Sequence, residues 1–360
     1  MQTRGAVLRR RPFFASRLSA SVMQKLGASG GAMTINEIAQ LAGVSRATVS
    51  RYLNDGYVSE EKKKRIAKVI AQTGYVPSQQ ARTLRTGKTR FVGVVIPKIN
   101  SESVGREVAG ITSVLGASDY RTLLANTDND ETAEVAYLNA FREQGQVDGI
   151  ILIGTVITDE HRRLFEELSV PVVVTGQRVE GVSCVYFDDY NAMYDLTLCC
   201  AAGREHPAYI GVFERDYAAG HLRTQAFLDA AHQLGCADPV VERGLFDMGS
   251  GATLTDKIMS ERPETDALVC ATDEIAAGAC KRLSQLGLRV PEDVHVTGLG
   301  DSSLARVVTP QLTTVHYYYR TSGVEAARML VEAMEQGNAA VRETKMGYKL
   351  VLRESTAADA

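Results

Sequence analysis

The spacing of apolar residues along the chain changes character near residue 90. From Thr34 the text TINEIAQLAGVSRATVSRYLNDG puts Ile35, Ile38, Leu41 and Ala42 at helical spacing. Gly43 ends that helix, and Ser45 is a good N-cap for the next. There Val49 and Leu53 turn inward four residues apart, leaving Arg46, Ala47, Ser50 and Arg51 outward. Ser59, followed by Glu60 and Glu61, predicts the start of a third helix with Ile66, Val69 and Ile70 on its inner face. Its Lys62, Lys63, Lys64, Arg65 and Lys68 point outward, several of them simply solvated. Two short helices joined by a glycine turn follow the helix-turn-helix plan. The second helix then enters the DNA major groove by its N-terminus.

Past Lys88 the pattern becomes short, nearly continuous apolar runs: Phe91–Ile96, Thr122–Asn126, Gly149–Ile153, Val172–Thr175, Cys184–Phe187, Tyr209–Phe213, Ala267–Ala271 and Val294–Leu299. Helical stretches such as Glu131–Gln144 and Leu222–Gly235 separate them. Repeated βα units of this kind predict buried parallel sheets, and their length predicts two doubly wound lobes. The fold class expected is α/β, an all-α N-terminal module followed by a two-lobed body.

Charge divides at the same place. Between Thr34 and Arg90 eleven Lys/Arg face four Asp/Glu, and residues 1–33 add six basic and no acidic residues. The overall −3 therefore leaves the remainder at −16, an acidic body behind a basic front, as expected of a nucleic-acid module joined to a separate domain. No apolar run reaches the ~20 residues of a membrane span, so no membrane association is expected. Six cysteines without a CxxC pair suggest a reducing, cytoplasmic setting. The arginine-rich residues 1–32 are expected to be disordered. They read either as a basic arm adding nonspecific DNA affinity or as an extension upstream of a working start at Met33.

The run IxEIAxxAGVSxxTVSRxLN, with Gly74-Tyr75-Val76-Pro77 and Ala81-Arg82-Thr83-Leu84 after a third helix, resembles the lactose-repressor (LacI/GalR) family. The resemblance implies a DNA-binding domain over 33–77 and a hinge helix and linker over 78–90. It implies operator contacts from Ser45, Arg46, Ala47, Thr48, Ser50, Arg51, Asn54 and Arg82, with Leu84 wedged into a minor-groove step. Arg51 suits a guanine edge. Eight residues, Ser78–Arg85, are too few for a helix to persist alone in water, which suits ordering on DNA.

Through about Ser355 the body is similar to the same family, which implies a periplasmic-binding-protein-like domain over 91–356. Lobe one would take about 91–189 and 318–341, and lobe two about 190–317 and 342–356. Ligands of open α/β sheets sit at the carboxyl ends of strands. Arg223 matches the family's sugar-gripping arginine, and Thr272-Asp273 its cleft pair. Gly298-Leu299-Gly300-Asp301 lacks a first carboxylate usual there. Lys98, Asn100, Ser101 and Glu102 follow the first strand, where a cation, hydroxyls and helix N–H groups could cradle a phosphate. Lys98 is equally readable as a solvated loop lysine, and Glu102 would repel an anion. With Gly154, Gln177 and Tyr319, the body most resembles trehalose-operon and related sugar-phosphate-responsive repressors. His316 and Tyr317–Tyr319 pack at the lobe crossover or stack on a sugar.

No metal-ligand spacing, cofactor fingerprint or nucleophile–base set is present, so neither a cofactor nor catalysis is expected. The resemblance implies a homodimer, or a tetramer, on double-stranded operator DNA. That repressor of a carbohydrate-utilisation operon would be released by a small sugar or sugar phosphate, a phosphodisaccharide being favoured. A co-repressor-dependent or global carbon-catabolite regulator of the same architecture is the alternative, and a stand-alone sugar-binding protein a remote one.

Overall fold

The computed structural model describes residues 33–76, 83, 87–143, 145–236, 238–337 and 340–356. Arg82, Leu84, the hinge helix expected over Ser78–Arg85 (apart from Thr83) and the first 32 residues lie outside that set. Two compact units divide between Lys88 and Thr89.

The first unit holds α1 (Ile35–Ala42), α2 (Arg46–Tyr52) and α3 (Glu60–Thr73). Thr34 and Glu37 form a reciprocal capping box at α1, and Gly43 ends it at φ 60°. Ile38, Ala39, Ala42, Val49, Val58 and Ile66 make a small buried core, with Ile35, Leu53, Val69 and Ile70 packed around it. Two details differ from the sequence pattern. Leu41 is 39% exposed, because the stripe that meets α2 and α3 runs through Ile38, Ala39 and Ala42. Ser59 occupies the N-cap of α3 without a side-chain cap bond.

In the second unit, lobe one is a six-stranded parallel sheet, ordered β11-β5-β4-β3-β1-β2. Its strands are β1 (Phe91–Ile96), β2 (Arg121–Asn126), β3 (Gly149–Ile153), β4 (Val172–Thr175), β5 (Ser183–Phe187) and β11 (Glu343–Met346). β1 and β3 are apolar and buried along almost their whole length, as befits strands covered on both faces. α4 (Glu102–Ala117) and α12 (Tyr319–Gln336) cover one face, α5 (Glu131–Glu143) and α6 (Asp159–Glu167) the other. α4 and α12 cross backbone to backbone. A Cβ on Gly110 would lie 2.1 Å from the Arg320 carbonyl oxygen, and one on Gly323 2.1 Å from that of Glu107.

Lobe two carries the parallel sheet β7-β6-β8-β9 and an antiparallel ribbon of β10 with β12. These are β6 (Pro207–Val212), β7 (Val240–Gly244), β8 (Ala267–Cys270), β9 (His295–Thr297), β10 (Thr314–Tyr317) and β12 (Tyr348–Val351). Its helices include α7 (Asp189–Cys200), α8 (Arg223–Gln233), α9 (Met248–Glu261), α10 (Asp273–Gln285) and the short α11 (Ser303–Val307). The chain crosses between lobes after β5, after β10 and at Gly347. The last crossing corrects the expected division: Glu343–Met346 pairs in parallel with Cys184–Phe187 in lobe one, and only β12 joins lobe two.

Candidate functional site

On the first unit, α2 buries Val49 and exposes Arg46, Ala47 and Arg51, with Ser45 and Asn54 exposed at its two ends. Thr48 and Ser50 are half-buried beside them. Ser45 accepts the Thr48 amide hydrogen at 3.2 Å and so fixes the helix start, while the Asn54 amide donates to the Ser50 carbonyl. Seven of the nine expected DNA-facing residues thus lie on or beside α2, and Arg82 and Leu84 fall outside the described residues. Tyr57, which the sequence reading passed over, is 90% exposed just beyond α2.

In the second unit a cleft of about 210 Å³ opens between the lobes at the carboxyl ends of the strands. Lys98, Ser101, Glu102, Gly154, Arg223, Thr272, Asp273 and Tyr319 all line it. Asn100 does not: it is exposed on the loop after β1. Gln177 is buried behind the wall, its Nε2 3.6 Å from where a Cβ on Gly154 would stand. Arg106, Glu107, Asn129, Phe187, Asp216 and Phe246 also line the cleft.

Arg223 is the fixed point of the site. A π-helical turn, Tyr217–Leu222, runs directly into α8, and such turns often mark functional positions. Only glycine fits at 220, where a Cβ would stand 2.0 Å from the Phe213 carbonyl oxygen. The turn delivers both Asp216 and Arg223 to the cleft. Arg223 donates to Asp189 through Nε at 2.8 Å, pairs with it through Nη2 at 2.6 Å, and donates to the Ala271 carbonyl at 2.8 Å. Burial opposes its charge, but Asp189 and neighbouring tyrosines more than offset that and raise its pKa. The Tyr317 hydroxyl donates to the same Asp189 oxygen at 3.1 Å. Two guanidinium N–H groups are left over from these three donations, enough to reach hydroxyls in the cleft.

Asp273 accepts from the Ser302 amide at 2.7 Å and the Thr314 hydroxyl at 2.6 Å. Burial raises its pKa nonetheless. Thr272 spends its hydroxyl on capping α10, accepting from the Ile275 amide at 3.3 Å. Gly298 has a steric reason to lack a side chain: its Cβ would stand 2.4 Å from Asp273 Oδ1. Asp301 is tied elsewhere, receiving Arg353 at 2.6 Å, Arg306 at 2.9 Å and His316 at 2.8 Å. Although burial works the other way, these donors hold its carboxyl down to about 2. Of the crossover aromatics, Tyr317 is buried in a stack with Phe187, Tyr319 faces the cleft and Tyr318 faces outward.

Glu102 lines the cleft with its carboxylate already engaged. Its carboxylate accepts from the Ser303 amide at 2.9 Å and hydroxyl at 2.7 Å, and pairs with Arg106 at 2.8 Å. Arg106 also donates to the Asp301 carbonyl at 3.0 Å. These contacts join α4 of lobe one to the loop 300–303 of lobe two.

Glu107 and Asp216 are acids held near neutrality. Burial pushes Glu107 up to about 7, although the Ser322 hydroxyl donates to it at 3.0 Å. Burial likewise pushes Asp216 up to about 6 against a bond from the Ala219 amide. Between about pH 4.5 and 7 the folded chain keeps a proton on Glu107 that the unfolded chain releases. Stability on this account is full below about 4.5 and declines as pH rises through 7. The penalty at pH 8 is on the order of 3 kcal/mol. Glu107→Gln is expected to raise the urea midpoint at pH 8, equivalent to about 1–3 kcal/mol, and to leave it nearly unchanged at pH 4. Melts at both pH values check this.

A basic helix-turn-helix joined to a two-lobed sensor body defines the class of ligand-responsive DNA-binding regulators. Residues 34–78 match the model of bacterial regulatory proteins of the lacI family, and residues 197–356 match a periplasmic binding protein-like domain. The chain is 30% identical over 304 residues to the sucrose operon repressor of Staphylococcus xylosus, covering 84% of this chain and 93% of that one. It is 32% identical over 331 residues to the transcriptional regulator RegA of Clostridium saccharobutylicum, covering 90% and 99%. The solved complex of the regulator CelR with cellobiose superposes with a TM-score of 0.68 at 27% identity, over 90% of this chain and 99% of that one. The lac repressor dimer bound to operator shares the fold at a TM-score of 0.83 and 22% identity, over 91% and 100%. This chain belongs to the lacI family of bacterial transcriptional regulators. Among the described residues no helix is long and apolar enough to cross a membrane.

Proposed function

We propose that the protein represses a carbohydrate-utilisation operon, binding its operator as a homodimer and releasing it when a small sugar occupies the cleft. The observation that carries the effector half is Arg223. It is a buried guanidinium oriented by Asp189 and Ala271, with donors to spare beside the acceptor Asp273. That arrangement suits a ligand rich in hydroxyls. Relatives point the same way, one named for a sucrose operon and one solved with cellobiose.

The phosphodisaccharide reading rests on Lys98 and Ser101 at the start of α4. Against it, Glu102, Glu107, Asp189, Asp216, Asp273 and Glu274 line the same cleft, facing Lys98, Arg106 and Arg223. Arg106 and Arg223 are already paired with Glu102 and Asp189. Leaving aside Glu107, which burial keeps protonated up to about pH 7, Lys98 still shares the cleft with Asp216, Asp273 and Glu274, which favours an uncharged sugar over a phosphorylated one. Similarity to catabolite control protein A of Priestia megaterium, 28% identical over 330 residues, keeps the co-repressor-dependent or global carbon-catabolite regulator as the second reading.

The DNA half is tested first. Selection from random duplexes is expected to return a two-fold pseudo-palindrome, because a symmetric dimer reads a symmetric site. Arg51→Ala should weaken binding by about 10–100-fold and relax specificity at one position per half-site, whereas loss of a phosphate contact weakens all sequences alike. Failure to enrich any sequence would refute operator binding. Titrating sugars into the selected complex then reads the sign of coupling: release supports induction, and tightening supports the co-repressor reading.

A further inference from the structure

A second chamber of about 500 Å³ adjoins the cleft, and Lys98, Asn129, Thr155 and Phe246 line both spaces. Ligand pockets usually measure about 300–1,000 Å³. The cleft alone falls below that range, the second chamber alone falls within it, and the two joined stay within it. The second chamber also draws on both lobes, taking Asp128 and Glu131 from one and Phe213, Arg215 and Asp247 from the other.

Its walls are built rather than incidental. Phe213 and Phe246 pack edge to face, with centroids 5.6 Å apart and planes at 82°. Asp128 and Asn129 both adopt left-handed backbone conformations, at φ 52° and 62°, in the turn after β2. Asx residues tolerate that region, and the turn is held by the Asn129 amide donating to the Pro97 carbonyl at 2.8 Å. The Asn126 amide donates to Asp128 at 2.8 Å. The turn thereby sets Asn129 where it lines both chambers, as Phe246 does from lobe two. On the rim, Arg215 pairs with Glu131 across the lobes at 2.5 Å.

An aromatic ring beside short polar side chains is the surface a pyranose fits. Its C–H face packs on the ring, and its hydroxyls meet amide and carboxylate groups at the edge. We propose that the effector spans both chambers, one ring between Arg223, Asp273 and Tyr319, and a second on Phe246 with Asn129 and Asp128 at its edge. The effector class is then a disaccharide-sized glycoside, not a monosaccharide, and Lys98 lies beside the linkage. This inference rests on the sugar-effector reading above.

Native mass spectrometry of the full chain against an equimolar mixture of glucose, glucose 6-phosphate, cellobiose, sucrose, trehalose and maltotriose tests it. The expected adduct contains at least two rings. Phe246→Ala should weaken that adduct about tenfold. Thr155→Trp, which fills the second chamber, should abolish it. Circular dichroism confirms that each variant is folded. An adduct confined to single-ring sugars overturns the two-chamber inference and leaves the sugar reading standing. A two-ring adduct insensitive to both substitutions also overturns it, since the second ring must then lie elsewhere. No adduct from any sugar in the mixture counts against both the reading and the inference.

Discussion

Arg223→Met is expected to abolish the response to sugar and to destabilise the sensor body by about 3–5 kcal/mol. Methionine keeps the length and apolar stem of the arginine, so packing against Tyr317 and the end of β8 is largely retained. What is lost is the partner of Asp189, a carboxylate only 2% exposed that also receives the Tyr317 hydroxyl. An unpaired buried carboxylate costs several kcal/mol or takes up a proton. The double variant Arg223→Met with Asp189→Asn separates the two effects. It removes the stranded charge, so most of the stability should return, while sugar binding should not. Urea melts and titration of the operator complex supply the two readouts. If the double variant recovered release from DNA, Arg223 would be a structural residue and the sugar would bind by other groups. Arg223→Lys should also fail to respond, since an ammonium cannot hold Asp189, the Ala271 carbonyl and a ligand in one fork.

Much of this site was legible in the sequence, and the illegible parts share a cause. Most strands of both lobes read directly, because doubly covered strands are continuously apolar over lengths too short for helices, whereas the half-buried β7 (VVERG) and the ribbon strand β10 were not among the apolar runs. Lys98, Gly154, Arg223 and Asp273 were placed at strand ends, where the fold puts its ligand. Glu107 was not. Within ESVGREVAGITSVLGA it sits among polar and apolar residues at ordinary helical spacing, and nothing local separates it from a surface acid. It is buried because Ser322, 215 residues later on α12, closes over it. The same applies to Asn129 and Phe246, whose chamber exists only when two lobes meet. The C-terminal segment failed differently. Glu343–Met346 and Tyr348–Val351 form one alternating stretch broken by Gly347, and a period-2 pattern does not say which sheet each half joins. The missing carboxylate at Gly298 was visible as a departure, but its reason, the carboxylate of Asp273, was not.

Asp301→Asn is expected to cost about 2–4 kcal/mol, a penalty out of proportion to a one-atom change. Asp301 stands at φ 46° between β9 and α11, and its carboxylate gathers two arginines and His316 from separate parts of lobe two. Arg306 comes from α11, His316 from β10 and Arg353 from the segment after β12. Arg353 is itself little exposed, at 13% of its side chain, so neutralising Asp301 leaves a nearly buried guanidinium without its counter-charge. Asparagine can still accept a hydrogen bond and tolerates the left-handed backbone, so the loss is mainly electrostatic. The pH dependence identifies the cause. A carboxyl held near 2 in the folded chain contributes stability that is fully present above about 4 and is lost as pH falls through 2. The wild type and variant should therefore differ by their full margin at pH 7, and their urea midpoints should converge as pH drops below 4. The loop that Asp301 anchors is also the one gripped from lobe one by Arg106 and Glu102. Loosening it should weaken the joint between the lobes, so the variant is expected to need more sugar to release DNA than its stability alone predicts. A variant that melts early yet responds at the wild-type sugar concentration would confine Asp301 to folding and separate that joint from the switch.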